Sequence, residues 1–429
     1  MKIAFLNPSG VLGGAETALL NIISSLREAQ PHWELHLIAS ADGLLIERAR
    51  SLGVTTTVLP LPKSLASLGD ASAGGPAGRK HKKRELLRHL LKATPALRTY
   101  TNNLRRTLAK ISPDVVHTNG LKMHVLGALT KPGRSSVVWH VHDYVCARPL
   151  IAPLMRLLAG RCSLALTNSQ SVAADLQTAC GRRLTVRTVY NGIDTKVFSP
   201  HGTRLDLDTL SGLPRAGSQT VRVGMLATLA RWKGHETFLR AFSYLPAELP
   251  LRGYLIGGAL YQTEGSQYSI GELRQMAHEL NITDRFGFTG FVDNAATAMR
   301  SLDVVVHAST EPEPFGMVIV EGMACGRAVL ASHGGGALEL VDENINALTH
   351  PPADAIALAR CLEQLVTNSE LRSRLGVAGR TTAEARFDRS RLAKELVPIY
   401  QRLVARLSDD SELMVADHDQ IAPAIAAGS

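Results

Sequence analysis

At 429 residues the chain is too long for one ordinary hydrophobic core, so two domains are expected. Its 45% apolar content reads as globular and soluble, and no stretch approaches the ~20 apolar residues of a membrane-spanning helix. The net charge of +9 is unevenly spread, with eleven Lys and Arg against the single acid Glu85 between Arg79 and Lys110.

The chain enters a strand at once over 2–7, and its first apolar run is too short for a signal peptide. Gly13-Gly14-Ala15-Glu16 then opens a helix expected to run to about 29. A glycine pair between a first strand and a helix lets backbone approach a ligand closely. It is not the G-x-G-x-x-G fingerprint, which argues against NAD or FAD. Strands at 33–39 and 55–59 flank a helix over 44–52. A loop rich in Ser, Gly and Ala, 62–78, precedes a basic helix with Leu86, Leu87, Leu90 and Leu91 on one side. Such a helix suits an anionic membrane surface, though it could equally pack its leucines on its own domain.

Further strands are expected at 114–117 and 137–141, each followed by a loop at the carboxyl edge where open α/β sheets bind ligands. The first loop is expected to hold His117, Asn119 and Lys122, and the second His140, His142 and Asp143. His117 and His142 are both candidates for the site. A strand at 163–168, with Ser169 or Ser171 capping the next helix, leads through 186–190 to Asn191-Gly192-Ile193-Asp194. The polar stretch 201–219 reads as the domain boundary.

The second half restarts with a strand over 221–229, then Arg231-Trp232-Lys233-Gly234-His235 and a helix. Lys233 and Arg231 stand at a strand's carboxyl end, where a diphosphate needs countercharge. Strands over 251–256, 285–289 and 303–308 continue the sheet. The last of these leads into Glu311-Pro312-Glu313-Pro314-Phe315-Gly316-Met317, where the prolines enforce an extended loop. A helix follows, with Met317, Ile319, Val320 and Met323 on its apolar face. Its N-terminus, at Gly316 and Met317, is a ready anion site. Glu313 before it and Glu321 within it are placed to grip hydroxyls of a sugar and a ribose beside a diphosphate. A strand at 328–331, the turn His333-Gly334-Gly335-Gly336, and helices at 353–367, 370–384 and 390–407 complete the chain. The acidic, Ala-rich end, 410–429, reads as disordered.

Glu313-x7-Glu321, with Pro-Phe-Gly after the first Glu, closely resembles the signature of retaining glycosyltransferases of family 4. The Gly-Gly-Ala-Glu loop, His142 before Asp143, Asn191-Gly192-Ile193-Asp194, Lys233 and the Gly-Gly-x-x-Glu turn ending at Glu339 match that family in order. The resemblance implies the GT-B fold, an α/β architecture of two doubly wound Rossmann-like domains facing a cleft. It divides the chain into an acceptor-side domain (1–200), a nucleotide-sugar domain (201–390), a helix crossing back (391–409) and a tail (410–429). It implies catalytic roles for His142, Glu313, Lys233 and Arg231, and donor binding by Gly13, Gly14, Phe315, Gly316, Met317 and Glu321. The loop at Gly290 and Phe291 would take the base. One departure is Thr228, where the family places an Arg, so Arg231 would have to supply that charge from a shifted position.

The implied reaction moves a sugar from a nucleoside-diphosphate sugar to an acceptor hydroxyl with retention. The acceptor would attack the face the phosphate leaves, and the phosphate would take the proton. Bacterial surface polysaccharide or glycolipid assembly is the implied setting, with a sugar or lipid-linked sugar as acceptor. Cofactors and metals are not called for, since no D-x-D or His/Cys set stands out. Five cysteines without a C-x-x-C pair point to a reducing, cytoplasmic location, with peripheral membrane contact through 79–110. Nucleic acid is not expected, because Tyr100 is the one aromatic within the basic run. Two alternatives stay open: a GT-B nucleotide-sugar epimerase, and a non-catalytic sugar-nucleotide-binding protein.

Overall fold

Runs such as Ile3-Ala4-Phe5-Leu6 and Val304-Val305-Val306 lack polar alternation, so both faces of each strand must be covered. The computed structural model describes the backbone of residues 1–62, 79–148, 151–258 and 265–419. The side chains of 79–94 and 407–419 are not among the described residues. Residues 63–78 of the expected loop over 62–78, the side chains of Lys80, Lys82, Lys83 and Arg84 and of the leucine face at Leu86, Leu87, Leu90 and Leu91, and the end of the tail from 420 therefore lie outside the described residues.

Among the described residues, thirteen strands form two fully parallel sheets. The first contains β1 (Lys2–Asn7), β2 (Glu34–Ala39), β3 (Thr55–Val58), β4 (Val115–Asn119), β5 (Ser136–Val141), β6 (Leu164–Thr167) and β7 (Val186–Thr188). Its spatial order is β3-β2-β1-β4-β5-β6-β7. The second contains β8 (Val221–Leu226), β9 (Leu251–Ile256), β10 (Phe286–Gly290), β11 (Val304–His307), β12 (Ala328–Ser332) and β13 (Leu348–His350), in the order β10-β9-β8-β11-β12-β13. In each sheet the order reverses at one point, β1/β4 in the first and β8/β11 in the second. Loops leaving neighbouring strands there diverge to opposite faces, opening a crevice for a ligand. This two-sheet α/β arrangement is the GT-B fold.

Several elements depart from expectation. Strand β4 reaches Asn119 and the helix Leu121–Thr130 starts almost immediately, so His117 and Asn119 are strand residues rather than loop residues. The polar stretch after 201 contains the short helix Leu207–Ser211, whose Leu207 is buried. Strand β13 and the helices Ile151–Leu158, Ile270–Glu279 and Ala295–Arg300 lie in segments for which the sequence suggested no element.

The helix Arg79–Ile111 turns Tyr100, Leu104 and Leu108 inward onto the first sheet, at helical spacing, while Arg98, Arg105, Arg106 and Lys110 stay exposed. That part of the basic segment thus uses its apolar face internally. The last helix, Ser390–Asp419, continues past 410 and lays Leu392, Leu396, Ile399, Tyr400 and Leu403 against β1, β2 and the helix Gly14–Ala29. The chain crosses back at Ile193, which donates to the Phe387 carbonyl and accepts from the Arg389 N–H, each at 2.8 Å.

Candidate functional site

The two switch points face each other, and the loops leaving β1, β4, β5, β8 and β11 build the site between them. On the second sheet, Gly234 adopts φ +83° after the turn Arg231–Lys233, and a Cβ there would overlap the Ala308 carbonyl oxygen. Only glycine lets the loop leaving β8 press this closely on the loop leaving β11. Thr310 N–H then donates to the Trp232 carbonyl at 2.8 Å, fixing the two loops together.

This contact delivers Lys233 to Glu313, with Nζ 2.8 and 3.0 Å from the two carboxylate oxygens and 4.0 Å from the Trp232 ring centroid. Ser309 Oγ donates to Glu313 Oε2 at 2.8 Å. His307 Nδ1 accepts the Ser332 N–H, so Nε2 carries the ring proton and faces Glu313 Oε2 at 3.3 Å. Burial by itself would raise the Glu313 pKa, but the Lys233 charge and the His307 contact hold it well below the usual carboxylate range. Glu313 is therefore ionised. Oε2 is crowded by three donors, whereas among the described residues Oε1 meets only Lys233 and retains an acceptor site. Lys233 likewise keeps one of its three N–H donors.

The triple-glycine turn supports the Glu313 loop from behind. Gly336 N–H donates to the Glu313 carbonyl at 2.7 Å. Gly335 has φ +66° and ψ −145°, a region closed to other residues, and an added Cβ would lie 2.6 Å from the Glu313 carbonyl oxygen. Gly335→Ala is expected to lower stability by about 1–3 kcal/mol and to displace the loop. Thermal unfolding of the variant, with nucleotide titration on the folded protein, checks both effects.

The helix Met317–Ala324 begins at Gly316, whose φ of +95° turns the chain from loop to helix. Of its first-turn N–H groups, that of Ile319 turns back to the Gly316 carbonyl at 3.0 Å, and those of Met317 and Val318 stand at the open helix end. Glu321 lies one turn further along, and burial pushes its carboxyl up to about 7. Phe315 differs from expectation. It is 2% exposed and packs on Tyr190 and Phe387, with centroids 6.4 and 6.1 Å away, so its ring is core rather than ligand surface. Arg231 is also placed elsewhere. Its guanidinium bonds the Gly265 carbonyl, pairs with Glu272 at 2.8 Å and lies 4.2 Å from the Tyr268 ring centroid. Lys233 meets Glu313 without it.

On the first sheet, His142 follows β5, with Nε2 2.6 Å from Asn119 Oδ1 and its ring 4.0 Å from that of His140. Burial holds the His142 ring down to about 4, so it is neutral at ordinary pH. His117 is fully buried in β4, bonds the Tyr400 hydroxyl at 2.8 Å and is held down to about 3 by burial first and by His142 second. Its partner on the C-terminal helix marks it as a core group, which removes it from the site candidates. Gly13 caps the helix Gly14–Ala29, and its N–H is taken by Glu16 Oε2 at 3.1 Å. A Cβ on Gly14 would meet open space, so the packing of this protein does not itself require glycine there.

The two halves touch beside this cleft. Tyr144, next to Asp143, donates to the Glu313 carbonyl at 3.3 Å, and its hydroxyl is 2.9 Å from Ser171 Oγ. Glu339 reaches from the second half to the N-terminus of the helix Gln170–Cys180, accepting from Gln170 and Ser171 N–H at 2.8 Å each and from the Tyr190 hydroxyl at 2.9 Å. Sequence reasoning did not find His307, Ser309, Tyr144 or Glu339 as working parts. Only Glu339 carried a signal, as the last residue of the glycine turn. Among the described residues, no three His, Cys, Asp or Glu side chains are grouped as metal ligands.

Two family descriptions match this chain: Glycosyltransferase Family 4 over residues 12–197, and Glycosyl transferases group 1 over residues 216–382. A D-inositol 3-phosphate glycosyltransferase of Xylanimonas cellulosilytica is 28% identical over 56% of this chain and 57% of its own length. A lipopolysaccharide core biosynthesis glycosyltransferase, LpsE of Rhizobium meliloti, is 29% identical over 37% of this chain and 43% of its own. The chain thus spans about half the length of the curated relatives it matches. Among solved structures, Anabaena HepE in complex with UDP superposes with a TM-score of 0.73, at 26% identity, over 94% of this chain and all of that one. Sucrose-phosphate synthase from Thermosynechococcus elongatus shares the fold, with a TM-score of 0.74 at 21% identity over 94% of this chain and 99% of that one.

Proposed function

This chain belongs to glycosyltransferase family 4, with the group 1 signature in its second half, and we propose that it transfers a sugar from a nucleoside-diphosphate sugar to an acceptor hydroxyl with retention. The observation that carries the reading is the Lys233–Glu313 pair at the mouth of the Met317–Ala324 helix, with Asp143, the neighbour of His142, close enough to feel both charges. The breaking bond is that between the anomeric carbon and a phosphate oxygen, so negative charge grows on the diphosphate. The spare Lys233 N–H and the Met317 and Val318 N–H groups at the helix end supply preorganised stabilisation there. Glu313 Oε1 accepts a sugar hydroxyl, His142 accepts another, and Glu321 holds the ribose. The acceptor oxygen bonds to the anomeric carbon on the face the phosphate leaves, and its proton passes to the departing phosphate oxygen. Phe291, 71% exposed beyond β10, offers a ring for the base.

UDP is a reasonable first nucleotide, because Anabaena HepE was solved with UDP, UDP-glucose and glucose. The relatives that build lipopolysaccharide cores favour a surface glycan or lipid-linked acceptor. No helix among the described residues is long and apolar enough to cross a membrane. Anionic surface contact would rest on the charge of 79–110 and on Leu157, 79% exposed beside Arg156.

Incubation with a panel of nucleotide sugars and acceptors, read by product mass and anomeric configuration, tests the proposal. Transfer with retention is expected, and it is expected to persist in excess chelator. Loss in chelator restored by manganese would assign the charge stabilisation to a metal. An inverted product, or epimerised donor without transfer, would overturn the reading.

Glu321 yields a pH prediction. Its raised pKa of about 7 means the unliganded site holds a largely protonated carboxyl below neutrality. Ribose hydroxyls donate to the carboxylate, so binding favours the ionised form. Nucleoside-diphosphate affinity is expected to rise with pH through about 7 and level off above it. Glu321→Gln retains the phosphate's own titration, so calorimetric titrations of the two proteins isolate the Glu321 contribution. A pH dependence identical in both proteins would remove the ribose assignment.

A further inference from the structure

At the first switch point the ends of β1 and β4 are neighbours, and each ends in a buried asparagine. Their hydrogen bonds allow only one set of proton positions. Asn7 Nδ2 lies 2.7 Å from the Ser9 carbonyl, which can only accept, so Asn7 Oδ1 is the acceptor end of that amide. Asn119 Nδ2 is 2.7 Å from Asn7 Oδ1 and 3.4 Å from the Ala15 carbonyl, so it donates to both. Asn119 Oδ1 must then accept, and the group facing it at 2.6 Å is His142 Nε2. His142 therefore carries its proton on Nε2 and presents a bare Nδ1 lone pair. In the other direction, Asn7 Nδ2 reaches Glu16 Oε1 at 3.3 Å, while Glu16 Oε2 accepts the Gly13 N–H at 3.1 Å.

We propose that Asn7 and Asn119 are positioning residues that lock His142 as the Nε2–H tautomer and tie it, through Glu16, to the Gly13-Gly14 loop. The locked ring accepts a hydrogen bond from a hydroxyl of the transferred sugar and cannot donate one to it, which selects a hydroxyl of fixed orientation. The glycine loop and the sugar-facing histidine then move as one unit. Polar-chain anchoring gives a use to two asparagines that are fully buried at neighbouring strand ends. The inference rests on the reading that His142 faces the donor sugar.

The test begins with ring-nitrogen NMR of His142 in the unliganded protein, which needs no activity. The Nε2–H signature is expected in the parent. Asn119→Leu is expected to release the ring to a mixture of tautomers and to lower kcat on the order of a hundredfold, the effect of a misplaced orienting group, with a smaller change in donor KM. Asn119→Asp keeps the acceptor for Nε2–H, and its carboxylate favours the charged ring. It is therefore expected to retain the tautomer and to give kcat a new rise with pH that the parent lacks. An Nδ1–H parent, or a ring unaffected by Asn119→Leu, would overturn the proposal. If instead the tautomer follows Asn119 but His142→Ala leaves transfer intact, the sugar-facing reading fails while the anchoring stands.

Discussion

Lys233→Met is expected to slow sugar transfer on the order of 10²–10³-fold, the usual effect of removing one preorganised charge stabiliser, while donor KM changes only a few-fold. The asymmetry follows from when the charge is needed. The bound donor already carries its diphosphate charge partly screened by water, but the departing diphosphate gains charge in a cleft where the effective dielectric is low. Lys233 is held for this role rather than mobile, with two N–H groups fixed on Glu313 and its side chain against Trp232. Lys233→Arg is expected to recover little, because a planar fork cannot reproduce the two contacts on Glu313 and still aim a donor at the phosphate. Steady-state kinetics of both variants, with unfolding curves to confirm the fold, give the result. A KM increase matching the whole loss would mean that Lys233 only binds the donor.

Glu313→Gln is expected to destabilise the protein by about 2–3 kcal/mol, below the 3–5 kcal/mol of a fully buried broken pair, because the Lys233 side chain keeps 21% of its exposure. Gln preserves the shape but leaves Lys233 without countercharge and turns an amide group toward His307 or Ser309, both of which face Oε2 as donors. The pH dependence has a definite sign. The folded-state pKa of Glu313 lies below its ordinary value of 4.5, so its stabilising contribution is present above that value and is lost as pH falls beneath it. The stability gap between parent and variant should therefore be constant through neutral pH and narrow below about 4. Transfer should also fall, because the variant misorients Lys233 and removes the Oε1 acceptor. Denaturant unfolding at several pH values measures the gap, and a gap that widens on acidification would contradict the ion-pair account.

Much of this site was legible because its signals are local. Unbroken apolar runs identify buried parallel strands, prolines at 312 and 314 force a loop, and Glu313-x7-Glu321 spans a loop and one helical turn. These features depend on residues within a few positions of one another, so the amino-acid order determined them and, with them, the GT-B fold and the family. Partnerships across the chain were not legible. His117 looked like a loop residue because strand ends are set by ladder partners, and its actual partner, Tyr400, is 283 residues away. Phe315 and Arg231 look in sequence like ligand groups, but a ring buries itself where Tyr190 and Phe387 complete a core, and a guanidinium turns to the nearest carboxylate, Glu272. Asn7 and Asn119 are 112 residues apart and meet only because the sheet reverses its order between β1 and β4. Periodicity and turn chemistry wrote the elements; strand order decided which polar groups share a hydrogen bond, and that assigned the proton on His142.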